Sequence, residues 1–176
     1  VISGGGPTTT WTYDANGNVL STTDPDGHTS WTQYDAWNRP IAVTDALGWK
    51  AGDPQHTTVT GYDAVGDVTS VTDPLGNVTT LQYNAHGQVV SMTDALNRVY
   101  QMSYDAAGRL TSVTNPAGHA STRQYDALNR MTAILDALGG RTTYSYDANG
   151  NITSATDPTG RVISYTYDSL NRVTSI

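Results

Sequence analysis

Seven aspartates recur in one phase along this 176-residue chain: Asp14, Asp35, Asp63, Asp105, Asp126, Asp147 and Asp168, with Asn84 in the fourth of the eight positions. A ladder of carboxylates at fixed spacing would suit calcium, which takes oxygen ligands. The competing role is local, since Asp or Asn ahead of a turn accepts hydrogen bonds from backbone N–H groups two residues on. Asn84 favours the turn, because it keeps that bond while losing the charge a cation needs. No Gly-Gly-x-Gly-x-Asp calcium nonapeptide occurs. No metal and no other cofactor is expected.

The histidines point the same way. His28, His56, His86 and His119 fall in three different phases, no two of them have the i,i+4 spacing of a helical metal site, and none stands beside a nucleophile motif. There is no Gly-x-Ser-x-Gly elbow and no phosphate-cradling glycine loop ahead of a helix. Catalytic residues are therefore expected to be none, and the chain not to be an enzyme. All four tryptophans, Trp11, Trp31, Trp37 and Trp49, lie in the first third. Exposed Trp beside a loop stacks on sugar rings or anchors a partner, so these four are the candidate ligand or partner contacts. They occupy different phases, and packing between strands is the competing explanation. The sequons at Asn77 and Asn151 coincide with positions that suit Asn and Thr for turn reasons.

What positions these residues is a repeat. Tyr13, Tyr34, Tyr62, Tyr83, Tyr104, Tyr125, Tyr146 and Tyr167 each open a Tyr-[Asp/Asn]-[Ala/Ser] triplet. Two residues after each triplet comes Gly17, Asn38, Gly66, Gly87, Gly108, Asn129, Gly150 or Asn171. The tyrosines are 21 residues apart except between Tyr34 and Tyr62, where the interval is 28. Ten residues after each Tyr-Asp a second turn begins, as in Asp24-Pro25-Asp26-Gly27, Asp73-Pro74-Leu75-Gly76 and Asp157-Pro158-Thr159-Gly160. Both turns put Asp first and a left-handed Gly or Asn fourth, which predicts a type I turn closed by a G1 bulge. Runs of about six residues rich in Thr, Val, Ser and Tyr lie between the turns and read as strands.

One repeat is therefore one β-hairpin. Eight of them span 8–176 after a lead-in at 1–7, with a seven-residue insertion around 49–56, and they supply roughly sixteen strands. The predicted fold is all-β, a long antiparallel sheet. Apolar residues six and nine positions after the tyrosine, such as Val68 and Val71, belong to opposite faces of a regular strand. Either a bulge intervenes or both faces are partly covered. The tyrosines are expected to form a ladder on one face.

Composition narrows the partners. A net charge of −7 and nine scattered Lys and Arg argue against nucleic acid, which needs a basic stripe. No apolar run is long enough to insert in a membrane as a helix. The absence of Cys excludes disulfides and thiolate sites. The first residue is Val and the pattern starts almost at once, so a section of a longer protein is expected.

The Tyr-Asp-x-x-Gly-x-[Val/Leu/Ile] core and its Asp-Pro-x-Gly second turn, in phase over residues 11–176, resemble the YD repeats of the Rhs family. That family includes polymorphic toxins, toxin-complex C components, wall-associated proteins and teneurins. The resemblance implies a β-sheet spiralling into a hollow shell, a role in toxin encapsulation and interbacterial competition, and a secreted or cell-surface location. Its partners would be the remaining repeats and the enclosed toxin of the parent chain. Eight repeats are far fewer than a sealed shell needs, so this section would supply only wall. Two functions follow. One is a non-catalytic scaffold that encloses a polypeptide; the other is a surface module binding carbohydrate or protein through the Trp-rich third. Self-association through open strand edges is expected in either case.

Overall fold

The computed structural model describes residues 8–48 and 50–176, so the lead-in at 1–7 and Trp49 lie outside the described residues. Two compact units divide the chain, residues 1–98 and 99–176. The first holds β1 (Thr10–Tyr13), β2 (Val19–Thr23), β3 (Thr29–Tyr34), β4 (Pro40–Thr44), β5 (Thr57–Tyr62), β6 (Val68–Thr72), β7 (Val78–Tyr83) and β8 (Val89–Thr93). The second holds β9 (Val99–Tyr104), β10 (Leu110–Thr114), β11 (Ala120–Tyr125), β12 (Met131–Leu135), β13 (Arg141–Tyr146), β14 (Ile152–Thr156), β15 (Val162–Ser164), β16 (Thr166–Tyr167) and β17 (Val173–Ser175). No described residue is helical, as expected of a chain that Gly, Pro or Asn interrupts about every ten residues.

Within each unit, successive strands pair antiparallel in chain order, an open meander of hairpins. Among the described residues seventeen strands replace the roughly sixteen expected, because one repeat strand divides. The Tyr165 N–H donates to the Thr153 carbonyl at 2.9 Å, and beyond it the chain leaves β14. Among the described residues β16 then pairs only with β17, in a separate two-stranded sheet.

Both turns of a repeat have the predicted geometry. In the first turn of the third repeat the Gly66 N–H donates to the Asp63 carbonyl and the Asp63 N–H to the Asp67 carbonyl, with Gly66 at φ 103°. Asn38, Asn97, Asn129 and Asn171 take the same left-handed position at φ 58–64°.

The first hairpin of each repeat also carries a second bulge, separate from that of the turn. Tyr62 faces Val68, but Gly61 faces Ser70, so Thr69 is extra. The same slip recurs at Tyr13, Tyr34, Tyr83, Tyr104, Tyr125, Tyr146 and Tyr167. It shifts the strand's alternation by one residue, so Val68 opposite Tyr62 and Val71 opposite Thr60 come to share a face. That resolves the odd spacing: a bulge puts the apolar positions together with the tyrosine. In β7 the tyrosine face, Leu81 and Tyr83, is half-buried, whereas Val78, Thr80 and Gln82 are exposed.

The described residues form almost no core. Among the described residues Ala133 is the only apolar residue that is buried. The other buried residues are Asp53 in the insertion and Thr44 and Thr57 at the ends of the strands that flank it. There the Thr44 and Thr57 hydroxyls lie 2.7 Å apart, Thr57 Oγ1 donates to the Asp53 carbonyl, and the Gly52 N–H donates to Thr44 Oγ1. The Asp45 turn keeps its form, and its closing acceptor is the His56 carbonyl, so residues 50–55 bulge out of the ladder.

Candidate functional site

In each unit the repeat-defining residues converge on the sheet edge that carries the first turns. Each turn aspartate places Oδ1 over the backbone: Asp105 Oδ1 accepts from the Ala107 and Arg109 N–H groups at 2.9 and 3.0 Å. In six repeats, those of Asp14, Asp35, Asp105, Asp126, Asp147 and Asp168, Oδ2 then accepts from the side chain of the residue five after the tyrosine. Arg39, Arg109, Arg130 and Arg172 donate through Nε at 2.7, 2.7, 2.8 and 2.7 Å, while Asn18 and Asn151 donate through Nδ2.

These same side chains tie one repeat to the next. Arg39 Nη1 donates to the Asp63 carbonyl, Arg109 Nη1 to that of Asp126 and Arg130 Nη1 to that of Asp147, at 2.9–3.0 Å. Their guanidinium groups lie over the next tyrosine ring, 4.5 Å from the Tyr62 centroid, 4.8 Å from Tyr125 and 4.7 Å from Tyr146. Asn18 and Asn151 reach the Oδ1 of Asn38 and Asn171 instead.

The tyrosine makes the second link. Its hydroxyl donates to the carbonyl of the residue where the preceding repeat's second bulge begins: Tyr34 to Val19, Tyr62 to Pro40, Tyr83 to Val68, Tyr125 to Leu110, Tyr146 to Met131 and Tyr167 to Ile152. A bulge disrupts the ladder locally, and this hydroxyl supplies a donor there. Proline is tolerated at Pro40 because it opens its strand at a bulge.

The turn hydrogen bonds hold the carboxyls below their ordinary range. The Asn77 side chain, then its N–H, lowers Asp73; the Asn18 side chain is the main cause for Asp14; and the Arg109 and Arg130 N–H groups lead for Asp105 and Asp126. Tyr83 is raised by desolvation and then by the charges of Asp67 and Asp63.

The remaining candidates stay dispersed. Trp11 in β1 is 52% exposed and shares the face of Tyr13, whereas Trp31 in β3 belongs to the opposite face and Trp37 sits on a turn with Arg39 4.9 Å from its ring. The three described tryptophans thus form no common platform. Asp24, Asp26 and His28 bring potential ligand atoms within 4.8 Å of one another on an exposed turn. Asp24 is already engaged there, accepting from the Asp26 and His28 N–H groups and facing His28 Nδ1 at 3.0 Å. His56 Nδ1 lies 3.1 Å from Asp45 Oδ1, at the insertion.

The arginines are what reading by motif passes over. Their signal is the recurrent Asn-Arg or Gly-Arg dipeptide in fixed phase, at Asn38-Arg39, Gly108-Arg109, Asn129-Arg130 and Asn171-Arg172.

Solved structures share this arrangement of strands. The Photorhabdus luminescens Tc holotoxin pore matches 94% of the chain with a TM-score of 0.76 at 18% identity. The TcdB2-TccC3 crystal structure matches 94% with a TM-score of 0.53 at 16% identity. The chain spans only 10% and 12% of the lengths of those two chains. A search of curated protein sequences finds no match. The RHS Repeat family matches residues 1–29, 13–51, 62–99, 83–120, 104–141, 125–162 and 146–176. Its unit recurs at the interval of the tyrosine and arginine links, and with almost the whole chain covered, this protein belongs to the RHS repeat family.

Proposed function

We propose that this chain is a non-catalytic section of wall in an Rhs-type β-shell, in which a secreted or cell-surface parent protein encloses a C-terminal toxin or other polypeptide for delivery. The observation that carries the reading is a sheet with almost no core of its own. Its cohesion comes from links between consecutive repeats, which suits a surface extended by adding units rather than a domain folded around a pocket. Trp37, Leu47, Val65, Leu75 and Leu138, all at turn tips, are 74–94% exposed. Apolar tips of this kind suit contact with further segments of a larger assembly. The fold likeness to a chain of a Tc holotoxin supports the same reading at the level of architecture.

The test uses the longest natural chain containing these repeats, with whatever follows them. Protease is added before and after the repeats are destabilised by Tyr→Leu changes at Tyr83 and Tyr146. Protection of the downstream segment only while the repeats are intact is the expected result. Equal digestion in both cases would overturn enclosure.

A further inference from the structure

The residue five after each tyrosine is Asn18, Arg39, Asp67, Gln88, Arg109, Arg130, Asn151 or Arg172. Seven of these side chains carry a hydrogen-bond donor, and Asp67 alone offers only acceptors. Where arginine holds the position and a following turn is described, it fills the space between consecutive turns. It pairs with its own turn aspartate, lies over the next tyrosine and donates to the next turn's first carbonyl. At Asp67 that space is a hollow of about 450 Å³ lined by Asp63, Val65, Asp67, Tyr83, Asn84 and Gly87.

Each feature that receives an arginine elsewhere is present in this hollow. Asp63 Oδ1 is occupied by the N–H groups of Val65, Gly66 and Asp67, while its Oδ2 has no side-chain donor from position 67. Among the described residues no cation pairs with the Asp67 carboxylate. The Asn84 carbonyl accepts from the Gly87 N–H, as the Asp126 carbonyl accepts from Asn129, but among the described residues it has no counterpart of the second donor that Arg109 gives Asp126. The Tyr83 ring is pinned by its hydroxyl on the Val68 carbonyl, so its face is presented ready-made. Arg39, which reaches this turn from the preceding repeat, is committed to the Asp35 carboxylate and the Asp63 carbonyl. Two carboxylates therefore face a space that holds a guanidinium in three other repeats.

We infer that the hollow between Asp67 and Tyr83 is a binding site for the arginine side chain of a partner polypeptide, which completes from outside the link that Arg39, Arg109 and Arg130 make from within. Arginine rather than lysine suits the site, since a planar guanidinium can stack on the ring while its fork serves carboxylate and carbonyl together. The chain's charge of −7 favours a basic partner. The elevated Tyr83 hydroxyl, attributable after desolvation to Asp67 and Asp63, is consistent with the negative potential in the site. The inference stands whether or not the repeats enclose a cargo, because it concerns an edge and not an interior.

The test titrates N-acetylarginine amide into the whole chain with ¹³C-labelled tyrosine rings, the Tyr83 signals being assigned by their loss in Tyr83→Phe. A saturable shift of Tyr83 with a millimolar midpoint is expected, with little change at Tyr125, whose face Arg109 covers. N-acetyllysine amide should bind roughly threefold more weakly or worse. Asp67→Arg should abolish the response and raise the melting temperature, by supplying the missing guanidinium in cis. Asp67→Asn, of nearly the same size, should weaken binding without unfolding the sheet. No saturable shift, an equal one at Tyr125, or one that survives Asp67→Arg would overturn the site. Tyr83 signals that move with protein concentration alone would overturn the partner polypeptide in favour of a second copy of this chain.

Discussion

The hydroxyl of Tyr83 donates to the carbonyl of Val68 across 2.8 Å, joining one repeat's tyrosine to the bulge of the repeat before it. The same bond recurs 15 residues back from Tyr34, Tyr125, Tyr146 and Tyr167, and 22 back from Tyr62, where the insertion intervenes. The tyrosine is therefore retained for both ring and hydroxyl. The ring fills the half-buried face, and the hydroxyl satisfies a carbonyl at a point where the ladder is broken.

Tyr83→Phe should accordingly cost about 1 kcal/mol, the net worth of a hydrogen bond whose loss leaves a half-buried acceptor without this partner. Tyr83→Leu should cost more, because it also removes ring packing. Urea unfolding of the two variants beside the parent chain measures both. If Tyr83→Phe leaves the midpoint unmoved, the hydroxyl link contributes nothing to cohesion between repeats.

Substitution at the turn glycines should follow backbone conformation and not size. Gly108 has φ 79°, and asparagine takes the same phase at Asn129 with φ 64°. Gly108→Val should destabilise by about 2 kcal/mol, since a β-branched residue is strained at positive φ. Gly108→Asn should be mild. Equal melting temperatures for the two would contradict the left-handed turn.

Much of this was legible from residue types because the turns are built from local bonds. Asp63 shapes its turn by accepting from Val65 and Asp67, two and four residues away, so spacing in the sequence carries the geometry. The second bulge was half-legible: Val68 and Val71 at an odd interval required either a slip or two covered faces, and only the register of Gly61 against Ser70 decides between them. The tyrosine staple was not legible, because its acceptor is a backbone carbonyl that no side-chain pattern marks. The same holds at Tyr165, where one N–H to Thr153 precedes the departure of the final hairpin. Trp11 and Trp31, near one another in sequence, were separated by strand alternation onto opposite faces.

Acid should weaken the fold through the turn carboxyls. Asp73, Asp94, Asp105, Asp126, Asp147 and Asp168 are all held below their ordinary value of 3.8 in the folded chain. The unfolded chain then binds protons more readily, so this stabilisation is fully present above the ordinary carboxylate range and is lost as pH falls through the lower folded values. The urea midpoint should be flat from about pH 7 to 5 and decline from about pH 4 downward. A midpoint indifferent to pH throughout that range would mean that the turn hydrogen bonds do not distinguish carboxylate from carboxylic acid.

Arg123 offers a contrary case, a charged residue whose removal should help. It lies in β11 opposite Ile134, on the tyrosine face, and its Nη1 is buried without a hydrogen-bond partner. Met102 holds the same phase one repeat earlier. Arg123→Met should stabilise by about 1 kcal/mol, because it removes an unsatisfied donor and retains a long side chain. A lower melting temperature would show that the guanidinium contributes more through its other contacts than Nη1 loses.

β1, the strand that begins the first unit, should be adhesive. β1 is exposed along its length, with Trp11 52% and Tyr13 57% accessible, and among the described residues it pairs with β2 alone. Its other edge carries backbone groups that no described strand satisfies, beside two large aromatic rings. Edges of this kind recruit further strands unless charge or proline blocks them, and β1 contains neither. We expect the 176-residue chain to associate with itself through β1. The net charge of −7 opposes that approach at low ionic strength, so association should strengthen as salt screens it. Trp11→Lys should weaken association by placing a charge on the edge and removing an apolar ring from it. Light scattering over a range of concentration at low and high salt reads both effects. A chain that stays monomeric at every salt and concentration, or one whose association Trp11→Lys leaves unchanged, would show that β1 is not the adhesive edge.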